Sequence, residues 1–306
     1  MADKHEIGFV GIGNMGSVMV PRLMNAGYPV AVYDHDRTRQ KAFAENHNVR
    51  SAGSLGELAE GVDFVYTMLP EGNAVRNALL EAEGGALAKN LKKGSVILDS
   101  SSCDPVATRK LADELAPKGI QMVDAPVSGG VPGAIEGELV FMIGADDPAA
   151  LERCRPVLDV LGKRQFVVGK TGAGHCMKAL NNYVGSTCFI AGVEAMIIGK
   201  TFGLDPSIMV DVWNESTGRV HGSEVSFKQH VISRKFGTGF RLGLMAKDVK
   251  IAADMAEDLG FNAPLIRQSR EIFNRAREIV GFDVDHTEAV KYWEYLNDMK
   301  LSEGDK

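Results

Sequence analysis

Seven short apolar runs punctuate the first part of the chain, and then they stop. They are IGFVGIG (7–13), VAVYD (30–34), DFVYTML (63–69), SVILDSS (95–101), QMVDAPV (121–127), LVFMIG (139–144) and QFVVG (165–169). Most are rich in Val and Ile and nearly continuous in hydrophobicity, the pattern of strands buried on both faces of a mainly parallel sheet. Stretches of helical periodicity at 14–26, 71–83 and 104–116 lie between them, so the first half is expected to form a doubly wound, mainly parallel α/β domain. Beyond Gly174 the pattern is helical throughout, at 174–203, 205–216, 221–235, 243–259, 262–280 and 286–298, with Pro206 and Pro264 near helix starts. A chain of 306 residues has room for two medium domains. The expectation is an α/β domain over 1–168 and an all-helical domain over 169–306, the second entered through a long interdomain helix. The tail SEGDK is expected to fray.

The first run carries GFVGIGNMG, with Gly11, Gly13 and Gly16 in GxGxxG spacing. Alone that spacing is weak. Here it follows a predicted strand and opens a predicted helix, the context that gives it meaning. Gly11 permits the tight turn, Gly13 lets the backbone approach a pyrophosphate, and Gly16 lets helix and strand pack closely. The loop Gly11, Ile12, Gly13, Asn14, Met15, Gly16 would then present helix N-terminal N–H groups to the phosphates. Asp34, at the end of the second strand, can accept hydrogen bonds from the adenine ribose hydroxyls and repels a 2′-phosphate. NAD is therefore expected in preference to NADP, although Arg37 and Arg39 follow closely and could soften that choice. Two more loops fall at strand carboxyl ends, MLPEGN (68–73) and DSSSCDP (99–105). Each is either a cofactor contact or a turn and N-cap of the kind Ser and Asp favour.

Composition narrows the partners. A net charge of −6, with no basic run, gives no general attraction to nucleic acid or anionic membrane. No secretion-signal pattern opens the chain, and the nearest approach to a membrane span, after Lys178, is interrupted by Asn181, Asn182, Gly185, Ser186 and Thr187. The four cysteines, Cys103, Cys154, Cys176 and Cys188, show no CxxC pair and no ligand spacing. Reduced thiols in the cytoplasm and no metal site are expected.

Two stretches bear on chemistry. In DAPVSGGVPGAIEGEL (124–139), Ser128, Gly129 and Gly130 set a hydroxyl beside backbone N–H groups that a glycine turn can bend into an anion-binding concavity. A carboxylate-bearing substrate is the natural guest, and a flexible inter-strand loop is the plain alternative. In GAGHCMKALNN (172–182) a single Lys178 precedes fifteen residues without charge. It is either an exposed lysine at a helix entry or a group held partly dry for chemistry. Asn182, four residues on, shares its helix face.

Together these stretches resemble the β-hydroxyacid dehydrogenase family, the 3-hydroxyisobutyrate dehydrogenase type, over nearly the whole chain. GFVGIGNMG is similar to the family's cofactor signature, DAPVSGG to its substrate signature, GAGHCMKALNN to its GxGxxxKxxxN catalytic pattern, and LMAKD (244–248) to its second lysine motif. The resemblance implies a Rossmann-type NAD-binding domain over 1–168, a helical second domain with the substrate site at the interface, and reversible, NAD(P)-linked oxidation of a small 3-hydroxy acid. It implies Lys178 as the catalytic lysine, Ser128, Gly129, Gly130 and Asn182 as substrate contacts, and Lys247 as a residue that helps close the site over the cofactor, against a surface lysine paired with Asp248 or Asp254. Leu69, Pro70, Asn73 and Ser102 match cofactor-contact positions, with Ser102 where a threonine is common. STGR (216–219) echoes the family's SSG loop and makes Arg219 a candidate grip on a second anionic group, against a solvated loop arginine. Arg241, His221 and His286 stay without an assigned role.

A lysine suits this chemistry only if its pKa falls from about 10.4 toward working pH. Burial, a second cation such as Lys247, a bound nicotinamide ring and the positive end of a helix all push that way. Oxidative decarboxylation of the 6-phosphogluconate type needs an acid seven residues past the lysine, where this chain has Gly185. Imine reductases of this fold usually replace the lysine, and a noncatalytic NAD-binding scaffold would not need it. The candidate substrates are 3-hydroxyisobutyrate, tartronate semialdehyde or glycerate, succinic semialdehyde and hydroxymethyl dicarboxylates. The apolar helical half is expected to support a homodimer or homotetramer.

Overall fold

The computed structural model describes residues 4–83 and 85–302, so all of the tail SEGDK except Ser302 lies outside the described residues. The chain divides into two compact units, Met1–Lys178 and Ala179–Lys306, ten residues past the boundary expected at 168.

The first unit is built on one sheet. Its strands are β1 (Ile7–Val10), β2 (Val30–Tyr33), β3 (Arg50–Ser51), β4 (Phe64–Thr67), β5 (Val96–Asp99), β6 (Gln121–Asp124), β7 (Val127–Ser128), β8 (Leu139–Ala145) and β9 (Gly162–Gly169). The order is β3-β2-β1-β4-β5-β6-β8-β7, with β9 also paired to β8. The first six strands in space are parallel, as the unbroken apolar runs require. β8 then runs antiparallel to β6 and β7 and parallel to β9. The helices are α1 (Gly16–Asn25), α2 (Arg37–His47), α3 (Leu55–Gly61), α4 (Gly72–Arg76), α5 (Leu87–Asn90), α6 (Pro105–Leu115), α7 (Gly130–Glu136) and α8 (Pro148–Leu161).

Alternate residues of the central parallel strands β1, β4 and β5 feed two separate cores. Ile7, Phe9, Phe64, Tyr66, Val96 and Leu98 join Met19, Leu23, Val157 and Leu158 on one face. Val10, Val65 and Ile97 join Leu58, Leu79 and Leu111 on the other. Each such side chain contributes roughly 1.5–3 kcal/mol when removed from water. Both faces being dry, the polar groups of the sheet converge where the strands end, and there the loops gather. α6 starts with Pro105 behind an Asp104 cap that accepts from Ala107 N at 2.7 Å, and α8 repeats the device with Asp147 and Pro148.

The helix α9 (Ala173–Phe202) begins in the first unit and continues into the second. The second unit adds α10 (Pro206–Asn214), α11 (His221–Val225), α12 (Leu242–Asp258), α13 (Pro264–Val280) and α14 (Val290–Asn297). Its larger core gathers Phe189, Val193, Met196, Phe227, Val249, Phe273 and Trp293. The helix expected at 221–235 is divided: after α11 the backbone widens into a π-helical stretch over Phe227–Ile232. By length and hydropathy, α9 is sufficient to cross a bilayer, contrary to the sequence expectation. Within the second unit, however, its Asn182 and Ser186 are buried and hydrogen-bonded to protein partners.

Candidate active site

The three glycines of the cofactor loop are glycines for three different reasons. Gly11 has φ +96°, and a Cβ there would lie 2.4 Å from the Met68 carbonyl oxygen. A Cβ at Gly16 would lie 2.0 Å from the Gly11 carbonyl oxygen and 3.0 Å from the Phe9 ring. At Gly13 a Cβ would meet nothing within 4 Å, so the backbone faces open space, as a cradle for a pyrophosphate must. The buried Asp34 carboxylate accepts from Ile12 N and from Asp36 N, both at 2.9 Å. That ties the end of β2 to the loop between β1 and α1. Arg39 stands 3.6 Å from Asp34 and is half-exposed, so the arginine weighed against NAD selectivity pairs with the selecting acid. The loop and Asp34 thus fit a dinucleotide with free ribose hydroxyls.

At the neighbouring strand ends the three consecutive serines separate by role. Ser100 donates to Ala125 O at 2.7 Å and touches the Tyr66 hydroxyl. Ser101 accepts from Leu69 N at 2.9 Å, fixing the loop that follows β4. Ser102 is the half-buried one, while Leu69 is half-buried and Pro70 and Asn73 are exposed. Ser128 ends β7. Gly129 and Gly130 follow with φ +125° and +60°, a turn that side chains resist, and open α7.

Lys178 is the sixth residue of α9 and is half-buried. The turn before it, the first of α9, is fixed by groups that carry no motif signal of their own. The buried carboxylate of Asp124, the last residue of β6, accepts from Gly172 N at 2.6 Å and from His175 N at 2.8 Å. Burial pushes the Asp124 carboxyl above the ordinary carboxylate range, against the pull of His175 and of the two N–H groups. His175 Nδ1 lies 2.8 Å from Thr108 Oγ1. Its Nε2 lies 3.6 Å from Asp99 Oδ2, as does Cys103 Sγ. Asp99, Cys103 and His175 bring three ligand-type atoms within 4.8 Å of one another, a grouping that their sequence spacing does not reveal. All four cysteines are free thiols.

In the second unit Asn182 Nδ2 donates to Asp248 Oδ2 at 2.6 Å, and its Oδ1 accepts from Asn181 at 3.2 Å. Asp248 is 2 % exposed, and its other oxygen lies 3.2 Å from Lys247 Nζ. The aspartate of the second lysine motif, weighed in the sequence only as an ion-pair partner of Lys247, makes that pair and also holds the Asn182 amide. Arg219 is largely exposed, with Glu224 at 3.8 Å. Arg241 pairs with Asp283 at 2.9 Å, and His221 opens α11. The His286 ring is hydrogen-bonded to Thr238 and packed on Phe189 and Phe240, and burial lowers its pKa against the pull of Asp285. These contacts give Arg241 and His286 structural work within the helical unit.

Comparison with known proteins gives the family. Residues 6–169 match the family described as the NAD binding domain of 6-phosphogluconate dehydrogenase. Residues 172–293 match the one described as NAD-binding of NADP-dependent 3-hydroxyisobutyrate dehydrogenase. The 2-(hydroxymethyl)glutarate dehydrogenase of Eubacterium barkeri is 33% identical over 99% of this chain and 100% of its own. The mitochondrial 3-hydroxyisobutyrate dehydrogenase of Mus musculus is 39% identical over 84% of this chain and 77% of its own. Among solved structures, the Mycobacterium tuberculosis 3-hydroxyisobutyrate dehydrogenase with L-serine superposes with a TM-score of 0.84. It is 30% identical, over 95% of this chain and 99% of that one.

Proposed function

Because this chain belongs to the β-hydroxyacid dehydrogenase family, NAD-dependent enzymes acting on a CH–OH group, we propose that it interconverts a small 3-hydroxy acid and its semialdehyde, with 3-hydroxyisobutyrate the favoured substrate. The observation that carries this reading is the attachment of the first turn of α9, the turn before Lys178, through Asp124 to the same row of parallel strand ends that bears the cofactor loop. NAD supplies the hydride acceptor. Neutral Lys178 takes the hydroxyl proton as the carbon loses hydride; in reduction its ammonium returns that proton to the nascent alkoxide. Asn182, one turn further along α9, orients the hydroxyl, and Asp248 fixes the amide that does so. Ser128, Gly129 and Gly130 take the carboxylate, and Lys247 contacts the cofactor.

A hydroxymethyl dicarboxylate is the second reading, favoured by the full-length match to the 2-(hydroxymethyl)glutarate enzyme. It needs a second cation, for which Arg219 is available. A homodimer or homotetramer is also proposed. It is supported by exposed Ile208 and Val212, one turn apart on α10, with Leu204 nearby in sequence. The test of the substrate reading is a panel of 3-hydroxy acids with NAD and with NADP, followed as absorbance at about 340 nm. Turnover of 3-hydroxyisobutyrate well above the dicarboxylates is expected. Turnover of none of them would refute the proposal.

A further inference from the structure

The first N–H groups of an α-helix have no partner within the helix and are usually capped by the residue just before it. At α9 the cap comes from far away. Asp124 Oδ1 takes Gly172 N and Oδ2 takes His175 N, across 48 and 51 residues of sequence. A local cap secures a helix only to itself, whereas this one fastens α9 to the end of β6. The fit depends on missing side chains. A Cβ at Gly144 would lie 2.4 Å from Asp124 Oδ1, and one at Gly174 would lie 2.8 Å from Asp124 Oδ2 and 2.3 Å from Met142 O. Gly172 has φ +88°.

The His175 ring makes a second fastening. Asp99 and Asp124 are register partners on adjacent parallel strands, so their side chains share a face of the sheet. The ring stands close to both, Nε2 at 3.6 Å from Asp99 Oδ2 and Nδ1 at 3.8 Å from Asp124 Oδ2, and all three side chains are 0% exposed. The Thr108 hydroxyl lies 2.9 Å from Asp104 O, an acceptor only, so it donates there and accepts a hydrogen bond from His175 Nδ1–H at 2.8 Å. That bond ties α9 to α6, while Nε2, which has no hydrogen-bond partner among the described residues, faces Asp99. Lys178 follows His175 by three residues, about 4.5 Å along the helix axis and on a neighbouring position of the same face.

We propose that Asp124 and His175 are positioning residues for Lys178. They hold the first turn of α9 against β6 and α6 and so fix where the lysine ammonium stands relative to the cofactor loop on the same sheet. This rests on the reading of Lys178 as the acid/base. A misplacement of about 1 Å at such a group costs on the order of 100-fold in rate.

The test uses Asp124→Asn, His175→Asn and His175→Leu in the full chain. In Asp124→Asn the amide keeps one acceptor oxygen and abandons one N–H. Its kcat should fall about 10- to 100-fold while KM for NAD and Kd for NADH stay within about twofold. His175→Asn, whose amide N–H can replace Nδ1–H toward Thr108, should retain more activity than His175→Leu. Competitive acetylation across a pH series, read by mass spectrometry, reports the Lys178 environment without any substrate. Its rate should change severalfold in Asp124→Asn while the other lysines keep theirs. A kcat and a Lys178 labelling rate both unchanged in Asp124→Asn would overturn the proposal. So would a loss of kcat that vanishes well below the variant's Tm. A stoichiometric metal in the purified protein whose removal reproduces the Asp124→Asn loss would also overturn it, for an ion at Asp99, Cys103 and His175 would then be the fastening. Should the wild type oxidise no 3-hydroxy acid, the functional reading fails, and the labelling still decides the clamp.

Discussion

The cofactor loop of the first unit and the Asn182–Asp248 pair of the second are both polar devices set in apolar surroundings, but they are specified differently. The loop is written in backbone. Gly11, Gly13 and Gly16 stand within six residues; Gly11 and Gly16 are each required by a steric fact at their own position, and Gly13 leaves its side open. The pair is written in side chains 66 residues apart, and neither residue is unusual where it stands. A motif that is local and made of glycines can be read from the chain. A contact between two common polar residues on different helices cannot, unless a resemblance points to it.

Two substitutions sharpen that contrast, the larger first. Gly11→Ala forces a left-handed backbone, costing roughly 1–2 kcal/mol, and adds the clash with Met68 O. NADH affinity measured by fluorescence titration should drop more than about tenfold. An affinity within twofold of wild type would mean that the turn does not govern cofactor binding. Asp248→Ala leaves the Asn182 amide donor buried without its acceptor, at a cost of about 1–3 kcal/mol. A lower Tm and a raised KM for the hydroxy acid are expected, with the loss of turnover smaller than that from removing Lys178. Unchanged KM and kcat would confine the pair to a structural role.

The legible part of the fold was the part with period. Continuous Val/Ile runs gave the parallel strands, and helical spacing with prolines at helix starts gave most of the second unit. β3 and β7 have two residues each, too short for any period, and the antiparallel placement of β8 follows from tertiary pairing. The π-helical widening at Phe227–Ile232 leaves no mark that separates it from an ordinary helix. In the candidate site, Gly11 to Gly16 and Asp34 were legible from spacing alone. Lys178, Asn182 and Lys247 gained their meaning from four motifs occurring together. Asp124 and His175 sat inside two of those motifs without an assigned role, because a remote cap looks like any other aspartate in a strand. Hydropathy was the weakest guide: α9 satisfies the length and composition of a membrane span while carrying the lysine on which the proposed chemistry depends.

That dependence is the central claim, and Lys178→Ala tests it most directly. General acid–base catalysis contributes about 10²–10⁴-fold. Turnover of the best 3-hydroxy acid with NAD should therefore fall by roughly that factor, while the NADH Kd from fluorescence titration stays within about twofold. Near-normal turnover in Lys178→Ala would contradict the account.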